Sequence, residues 1–266
     1  MTEVFFLLLA NLILSLALFL LLWGVSIAIR DPSFIDSWWG LGVVVLAWAS
    51  YLQPDEKSPH GLLLAALATA WGLRLGVFLL WRWRKHGHDR RYAKMFERAK
   101  AKQGWNFATT SLLYVFLPQL FLQIIMALPV QISQITANTI PPLGALAYAG
   151  AALAAFGILY EAIADAQLAA FKADPANKGK LMDRGLWRYS RHPNYFGELC
   201  TWWGIYAVAA ETPFGLWSLP GPLLITFLLT RVSGAPTTEP HLQKTRPEYA
   251  EYKRRTSSFI PLPPKA

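Results

Sequence analysis

The sequence predicts an all-α polytopic membrane protein with seven transmembrane helices, its N-terminus outside and its C-terminus in the cytoplasm. Of its 266 residues, 54% are hydrophobic and 15% are charged, which is outside the usual composition of soluble domains. The apolar stretches long enough to cross about 30 Å of hydrocarbon are residues 4–29, 34–51, 61–81, 111–130, 143–171, 194–210 and 214–232.

Local sequence features support the individual stretches. The first holds about 26 apolar residues after Glu3, more than a signal-peptide core needs, so we expect it to be retained as a helix. Residues 31–33 (Asp-Pro-Ser) predict a turn before the second stretch, which is short and interrupted by polar groups, as is the sixth. The third carries Arg74, and the fifth carries Glu161 and Asp165. Because the sequence has no internal repeat or low-complexity tract, one membrane domain over 1–266 is the simplest division.

Basic residues lie almost entirely on alternate connections between these stretches. Residues 82–107, residues 172–193 and the tail from Arg231 hold nine, six and seven Lys or Arg, whereas connections 52–60, 131–142 and 211–213 hold only Lys57. By the positive-inside rule, the basic side is cytoplasmic. Because insertion and anionic lipids account for the net charge of +9, we expect no nucleic-acid partner.

Five ionisable residues fall inside the predicted spans, and each is by default a candidate for function. They are Asp36, Arg74, Glu161, Asp165 and Glu198. At a rise of about 1.5 Å per helical residue, all five lie in the cytoplasmic half of the membrane. This common depth predicts one polar chamber open to the cytosol. The alternative is that these charges only pair with one another and hold the helices together.

Two of these acids share a helix face. Glu161 and Asp165 are one turn apart, so both can accept hydrogen bonds from ribose hydroxyls or an amide. In the alternative interpretation they form salt bridges with Arg184, Arg188 or Arg191.

Asp36 is the candidate acid catalyst. A carboxyl group kept neutral by apolar surroundings can donate a hydrogen bond to a carbonyl oxygen. The alternatives are that Asp36 caps a helix N-terminus or pairs with Arg74. The neighbouring Trp38 and Trp39 either wall a flat apolar pocket or mark the membrane interface.

The stretch from Arg184 to Glu198 packs three Arg, a His, an Asn, two Tyr and a Glu between two apolar runs. Such a density of polar groups at a bilayer edge is costly unless something binds there, so we predict that it holds a large anionic cofactor. The sequence has no Walker motif, and Gly40-x-Gly42 lacks the third glycine of a Rossmann fingerprint. Any nucleotide must therefore be held by side chains at helix ends.

Other segments offer fewer candidates for chemistry. His86 and His88 beside Asp89 lack a convincing ligand set, so no metal is expected. Cys200 is interpreted as a buried, inert thiol. The proline-rich tail over 233–266 is predicted to fold back as a cytoplasmic strap, with disorder as the alternative.

One run, GLWRYSRHPNYFGE over residues 185–198, resembles the C-terminal signature of the steroid 5α-reductase family. Sterol reductases with a lamin-B-receptor-like fold carry a similar run. Asp36-x-x-Trp39-Gly40 and the closing residues 252–261 resemble the family's bacterial branch, the 3-oxo-5α-steroid 4-dehydrogenase-like membrane reductases. The resemblance implies a seven-helix enzyme in which residues 143–266 hold NADPH and residues 1–130 enclose an apolar substrate.

The resemblance also implies site residues. Phe78 stands where the family has a substrate-contacting Tyr, four residues after a matching Arg74. The expected substrate-binding residues are Trp38, Trp39, Arg74 and Phe78. The expected cofactor-binding residues are Glu161, Asp165, Lys172, Lys180, Arg184, Tyr189, Arg191, His192, Asn194, Tyr195, Glu198, Arg231 and Glu239.

The implied reaction is conjugate reduction of an enone in a steroid-like substrate. Hydride passes from C4 of the nicotinamide to the β-carbon, Asp36 stabilises the carbonyl oxygen, and solvent protonates the α-carbon. The expected protein is a monomer in a bacterial inner membrane, with its active site open to the cytoplasm and with membrane lipids and a hydrophobic small molecule as its partners.

Two other functions fit part of the sequence. Arg-His-Pro-x-Tyr also occurs in membrane methyltransferases that resemble isoprenylcysteine carboxyl methyltransferase or act on phospholipids, and these bind S-adenosylmethionine. They usually carry two adjacent glutamates in the tail, whereas Thr238-Glu239-Pro240 holds one. A non-catalytic lipid-binding or scaffold role is the third alternative.

Overall fold

The computed structural model describes residues 2–135 and 142–265, apart from the side chains of His86, Arg90 and Arg91. The chain is 79% helical and has no strand within these ranges, so the prediction of an all-α fold is confirmed. A single parallel bridge joins Ser190 to Ser257.

Twelve α-helices are present in the described ranges. They are α1 (Thr2–Ile29), α2 (Trp38–Leu52), α3 (Pro59–His86), α4 (Arg90–Gln103), α5 (Phe107–Ser111), α6 (Leu117–Met126), α7 (Leu128–Ile132), α8 (Ala145–Ala173), α9 (Pro193–Ala210), α10 (Pro220–Phe227), α11 (Ala235–Thr245) and α12 (Tyr249–Arg255). Short 3₁₀ turns, at Ser33–Ser37 and Gly185–Arg188 among others, and π-helical turns at Leu112–Phe116 and Leu228–Val232 link them.

Six of the described helical segments are long and apolar enough to cross a membrane, which indicates an integral membrane protein. They are Thr2–Ile29, Ser33–Leu52, Pro59–Lys85, Phe107–Met126, Ala145–Ala173 and Gly215–Thr245. The predicted sixth span, 194–210, is the helix α9, but it is not among these six. Asn194 and Glu198 near its start make it less apolar. The seven-span count and the orientation of the termini stay predictions.

Polar groups fix the helix ends at one end of the bundle. Ser58 caps α3 by accepting a hydrogen bond from the amide of Gly61 at 2.9 Å. Glu211, just after α9, accepts from the Gly144 amide at 2.9 Å and lies 2.9 Å from Nε2 of buried His60. Burial opposes ionisation of Glu211, but His60 and the amides at the start of α8 lower its pKa. A single carboxylate thus joins α3, α8 and α9.

Glycines bring α8 and α9 into backbone contact. A Cβ built at Gly157 would lie 2.5 Å from the carbonyl oxygen of Gly197 and from the amide nitrogen of Thr201. Gly150 and Gly204 make a similar approach farther along the same pair, where a Cβ at Gly204 would lie 2.5 Å from the Gly150 oxygen. Small residues allow such close packing between membrane helices. The contact places the polar residues of α8 opposite those at the start of α9.

A second glycine contact joins α2 to α3. A Cβ on Gly72 would lie 2.5 Å from the carbonyl oxygen of Gly40, and one on Gly76 would lie 3.0 Å from the carbonyl oxygen of Ser37. The 3₁₀ turn Ser33–Ser37, which carries Asp36, is therefore held against α3.

The C-terminal tail folds back over the stretch that begins at Arg184, as the strap interpretation predicts. The Arg191 amide donates to the Ser257 oxygen at 2.8 Å, and the Leu262 amide donates to the Tyr189 oxygen at 3.0 Å. The buried Tyr252 hydroxyl donates to the Trp187 oxygen at 2.5 Å. Burial raises the pKa of Tyr252, so the phenol stays protonated as a donor.

We expect Gly157→Ala to destabilise the bundle. The added methyl would meet backbone atoms of α9, and such overpacking typically costs about 1–3 kcal/mol. For a chain of this size that corresponds to a fall of roughly 2–10 °C in the unfolding midpoint. Gly24→Ala is the matched control, because a Cβ there has nothing within 4 Å. Thermal unfolding in detergent checks this, and equal midpoints for the two variants would contradict the proposed contact.

Candidate functional site

The structure sorts most of the expected site residues into three groups at different places. The acid–arginine cluster contains Arg74, Glu161, Asp165, Asn194 and Glu198. The aspartate–tyrosine group contains Asp36, Tyr92 and Gln119. The glutamate hub contains Glu239, Arg191, His192 and Lys253.

The acid–arginine cluster lies where α3, α8 and α9 meet. Arg74 forms an ion pair with Glu161, and its Nη1 lies 2.9 Å from Oδ2 of Asp165. Asn194 Nδ2 donates to Oδ1 of Asp165 at 3.2 Å. Glu198 interacts electrostatically with both Arg74 and Glu161. Glu161 is 3% exposed and Asp165 is 9% exposed, so these two acids are nearly closed to solvent, whereas Arg74, Asn194 and Glu198 are partly exposed.

These contacts identify the salt-bridge partner of the paired acids. Glu161 and Asp165 bind Arg74, so the alternative pairing with Arg184, Arg188 or Arg191 is wrong. Arg74, expected to touch substrate, instead lies beside the residues expected to bind cofactor. The expectation that intramembrane charges pair with one another is thus confirmed for Arg74, Glu161 and Asp165.

Pairing nevertheless does not exhaust the polar groups of this cluster. Three carboxyl groups gather around one guanidinium. Among the described residues, Asn194 Oδ1 and Arg74 Nε are buried without a hydrogen-bond partner. Buried polar atoms normally find partners, so these two atoms are open to a polar ligand.

Asp36 lies on the turn Ser33–Ser37 and accepts a hydrogen bond from Tyr92 at 2.6 Å. Gln119 Nε2 donates in turn to the Tyr92 hydroxyl at 3.3 Å. Arg74 is paired with the acids of α8, so the alternative in which Asp36 pairs with Arg74 is wrong. The capping alternative is not realised either, because the residue at the N-cap of α2 is Ser37.

Sequence reasoning missed Tyr92. It stands at the start of α4 within the basic segment, where only the charges drew attention. The sequence feature that could have identified it is the helical spacing of Tyr92, Met95 and Ala99, which places these three residues on the face of α4 that packs on the core.

Asp31 anchors the turn that carries Asp36. Its Oδ1 accepts from the amide and the hydroxyl of Ser33 at 2.8 and 2.6 Å, and its Oδ2 accepts from Trp83 Nε1 at 2.8 Å. His88 Nδ1 lies 3.1 Å from the same Oδ2. Burial opposes ionisation, but these donors together lower the pKa of Asp31. An ionised Asp31 therefore ties the turn to the end of α3.

The glutamate hub ties the tail to the stretch before α9. Glu239 Oε1 lies 2.9 Å from Arg191 Nε and 3.1 Å from His192 Nε2, and its Oε2 lies 3.1 Å from Lys253 Nζ. The His192 ring stacks on Tyr195 at 5.2 Å between centroids. Glu239 thus already contacts two cations, Arg191 and Lys253, and the imidazole of His192, so its role in the structure is to hold the strap.

A cavity of about 440 Å³ adjoins the hub, and its lining includes Thr230, Pro236, Glu239, Gln243, Lys253 and Phe259.

The other expected cofactor residues are on the surface. They are Lys172 at the end of α8, Lys180, Arg184, Tyr189 and Arg231. The Arg184 guanidinium lies over the Phe171 ring at 5.9 Å and borders a second cavity of about 550 Å³.

The expected substrate residues do not form one wall. Trp39 packs against the central core, whereas Trp38 packs against a smaller core around Phe116. Phe78 is half-buried, with its ring 6.1 Å from that of Trp81.

No group of three His, Cys, Asp or Glu side chains that could hold a metal ion occurs in the part of the chain that the structure describes. His88 pairs with Asp31, and the side chain of His86 lies outside the described residues.

Comparison with known proteins gives a relative of uncharacterised function in Schizosaccharomyces pombe. It is 27% identical over 229 residues, which cover 76% of this chain and 65% of the relative. The match thus spans less than two thirds of that protein's length. No solved structure matches the chain.

A family comparison covers nearly the whole chain. The profile described as "Protein of unknown function (DUF1295)" matches residues 22–256, a range that includes all three groups described above. The protein therefore belongs to the DUF1295 family, a membrane-protein family related to the steroid 5α-reductases.

Proposed function

We propose that this protein is a membrane reductase that uses NADPH to reduce the C=C bond of an enone in an apolar, steroid-like 3-oxo-Δ4 substrate. The observation that carries the proposal is the 2.6 Å hydrogen bond from Tyr92 to Asp36. A carboxyl group and a phenol in contact, beside apolar core residues, suit the polarisation of a carbonyl oxygen. The relation of the family to steroid 5α-reductases supports the same chemistry.

The cofactor side of the site rests on the acid–arginine cluster. NADPH, when bound, supplies the hydride that goes to the β-carbon of the enone. Asn194 Oδ1 and Arg74 Nε, buried and without a hydrogen-bond partner among the described residues, fit an amide and a hydroxyl of such a ligand. Asn194 and Glu198 would orient the nicotinamide or its ribose, and Glu161 and Asp165 would accept from hydroxyl groups.

The substrate side rests on Asp36 and Tyr92. As hydride adds to the β-carbon, the π electrons of the C=C bond move toward the carbonyl and negative charge grows on its oxygen. Asp36, held by the hydrogen bond that it accepts from Tyr92, would stabilise that oxygen by hydrogen bonding. A proton from solvent then bonds to the α-carbon. Enone, NADPH and one proton thus give the saturated ketone and NADP⁺.

Trp38, Trp39 and Phe78 do not form one wall, and we assign each of them to a separate part of the substrate-site lining. All three are partly buried, which leaves ring surface available to a ligand. The proposed enzyme works as a monomer in a bacterial inner membrane, with its cofactor side toward the cytoplasm.

A second candidate is an S-adenosylmethionine-dependent methyltransferase. The excess of carboxyl groups around Arg74 favours it, because a sulfonium cation would find negative charge there. Methyl transfer gives no role to the bond between Tyr92 and Asp36, and for that reason we rank it second.

Tyr92→Phe and Asp36→Asn are each expected to lower kcat for a 3-oxo-Δ4 steroid by about 10²-fold, because each removes a group that stabilises the growing oxyanion. The dissociation constant of NADPH should change less than about twofold. Tyr114→Phe is the matched control, since Tyr114 is exposed and, among the described residues, Gln103 is the hydrogen-bond partner of its hydroxyl. Steady-state kinetics with fluorescence titration of NADPH provide the measurement. Wild-type kcat in Tyr92→Phe would remove that residue from the site.

Asn194→Ala and Glu198→Gln are expected to weaken NADPH binding about tenfold, the effect of losing roughly 1.4 kcal/mol of hydrogen bonding. Nicotinamide fluorescence of the purified protein measures the affinity, and thermal unfolding shows whether the bundle stays intact. Gln103→Ala, at the exposed end of α4, is the control.

Thermal unfolding in the presence of each cofactor separates the two candidate functions. Thermal stabilisation by S-adenosylmethionine, with none by NADPH, would replace the reductase with the methyltransferase.

A further inference from the structure

A cavity of about 550 Å³ lies between the 3₁₀ turn Gly185–Arg188 and the C-terminal strap. We call it the basic cleft. It is lined by Asp183, Arg184, Gly185, Arg188, Tyr252, Arg255, Thr256, Pro264 and Lys265.

Positive charge dominates the basic cleft. Its lining holds four cationic side chains and one carboxylate, Asp183, which already binds Arg255 at 2.7 Å. Within residues 2–135 and 142–265, no hydrogen bond or ion pair engages the side chains of Arg188 and Lys265. Cations gathered in one concavity attract an anion strongly.

A buried hydroxyl adds a neutral hydrogen-bonding group. Thr256 lines the cleft and is only 3% exposed, yet its Oγ1 has no hydrogen-bond partner among the described residues. A buried hydroxyl normally has a hydrogen-bond partner. An oxygen atom of a ligand in the cleft would supply the partner that Thr256 Oγ1 lacks.

The walls of the cleft are fixed by backbone contacts. Tyr252 donates to the Trp187 oxygen at 2.5 Å, the Thr256 amide donates to the Tyr252 oxygen at 2.9 Å, and the Lys265 amide donates to the Arg255 oxygen at 2.9 Å. The cationic groups therefore stand on a preorganised frame, which reduces the ordering cost of binding.

The 3₁₀ turn that lines the basic cleft is bonded to α8, the helix that carries Glu161 and Asp165. Trp187 Nε1 donates to the Ala164 oxygen at 3.0 Å, and the Leu186 amide donates to Gln167 Oε1 at 2.9 Å. These two acceptors flank Asp165, so both sites attach to the same helical turn, which rises about 5.4 Å.

We propose that the basic cleft binds a phosphate monoester, with Arg188 and Lys265 on its oxygens and Thr256 as a further donor. A monoester carries about −1.5 to −2 charges at neutral pH and has three acceptor oxygens, which match an arginine fork, an ammonium and a hydroxyl. The 2′-phosphate of a nucleotide and the headgroup of phosphatidic acid share this chemistry. The nucleotide source rests on the proposed function, because it would select NADPH over NADH, whereas the lipid source does not.

The test compares ligands that differ by one monoester. Binding of adenosine 2′-monophosphate and of adenosine, which has no phosphate, is measured by calorimetry on the full-length protein in neutral nanodiscs. In a second arm, binding of phosphatidic acid is measured by native mass spectrometry, with phosphatidylcholine as the reference. The variants are Arg188→Gln with Lys265→Gln, and Thr256→Val alone. Lys178→Gln is the matched control, an exposed lysine of the same connection outside the cleft.

The wild type is expected to bind the monoester in one arm at least tenfold more tightly than its reference. The double variant should reduce that ratio to below threefold, Thr256→Val should reduce it less, and Lys178→Gln should leave it unchanged. A preference for adenosine 2′-monophosphate over adenosine identifies a nucleotide, and a preference seen only with phosphatidic acid identifies a lipid headgroup. Equal binding of monoester and reference in both arms, or an unchanged ratio in the double variant, overturns the proposal.

These outcomes are separable from those of the proposed reductase. If NADPH reduces the steroid and the double variant keeps the preference for NADPH over NADH, and neither probe shows a monoester preference, the cleft proposal fails while the reductase stands. If adenosine 2′-monophosphate binds as expected but no reduction occurs, the reductase fails and the cleft remains a phosphate site.

Discussion

The burial of Glu161 and Asp165 inside a helical bundle depends on Arg74. Removing two carboxylates from water is costly, and only a paired opposite charge with hydrogen bonds can offset that cost. Arg74 can reach both acids because glycines let α8 pack tightly against α9, and because α3 lies beside the two helices. The same packing brings Asn194 to Asp165. The packing of α3, α8 and α9 therefore determines which polar groups meet in the cluster.

A second contact depends on a helix outside the predicted spans. α4 presents Tyr92 to Asp36, while Asp31 and the approach of Gly40 to Gly72 hold the turn from the other side. The acid is thus fixed by a loop helix, the end of α3 and the start of α2 together. Such over-determined geometry suits the oxyanion-stabilising role that we propose for Asp36.

The tail has a structural role that its charges alone do not reveal. Glu239 binds Arg191, His192 and Lys253, and the strap adds backbone bonds to residues 189–191. The stretch that begins at Arg184 is therefore fixed from two sides, by α8 beneath it and by the strap above it. This enclosure creates the basic cleft from residues that are more than 60 positions apart in sequence.

The sequence by itself determined the all-α membrane class and identified Asp36, Arg74, Glu161, Asp165 and Glu198 as the costly residues, because hydropathy and burial cost are local properties of the chain. Pairing is not local. Helix packing decided which acids Arg74 contacts and brought Tyr92 to Asp36. The return of the tail decided that Glu239 binds Arg191. Only the tertiary structure decided these partners, since side-chain contacts between distant segments follow from the approach of helices and leave no periodic signal in the sequence.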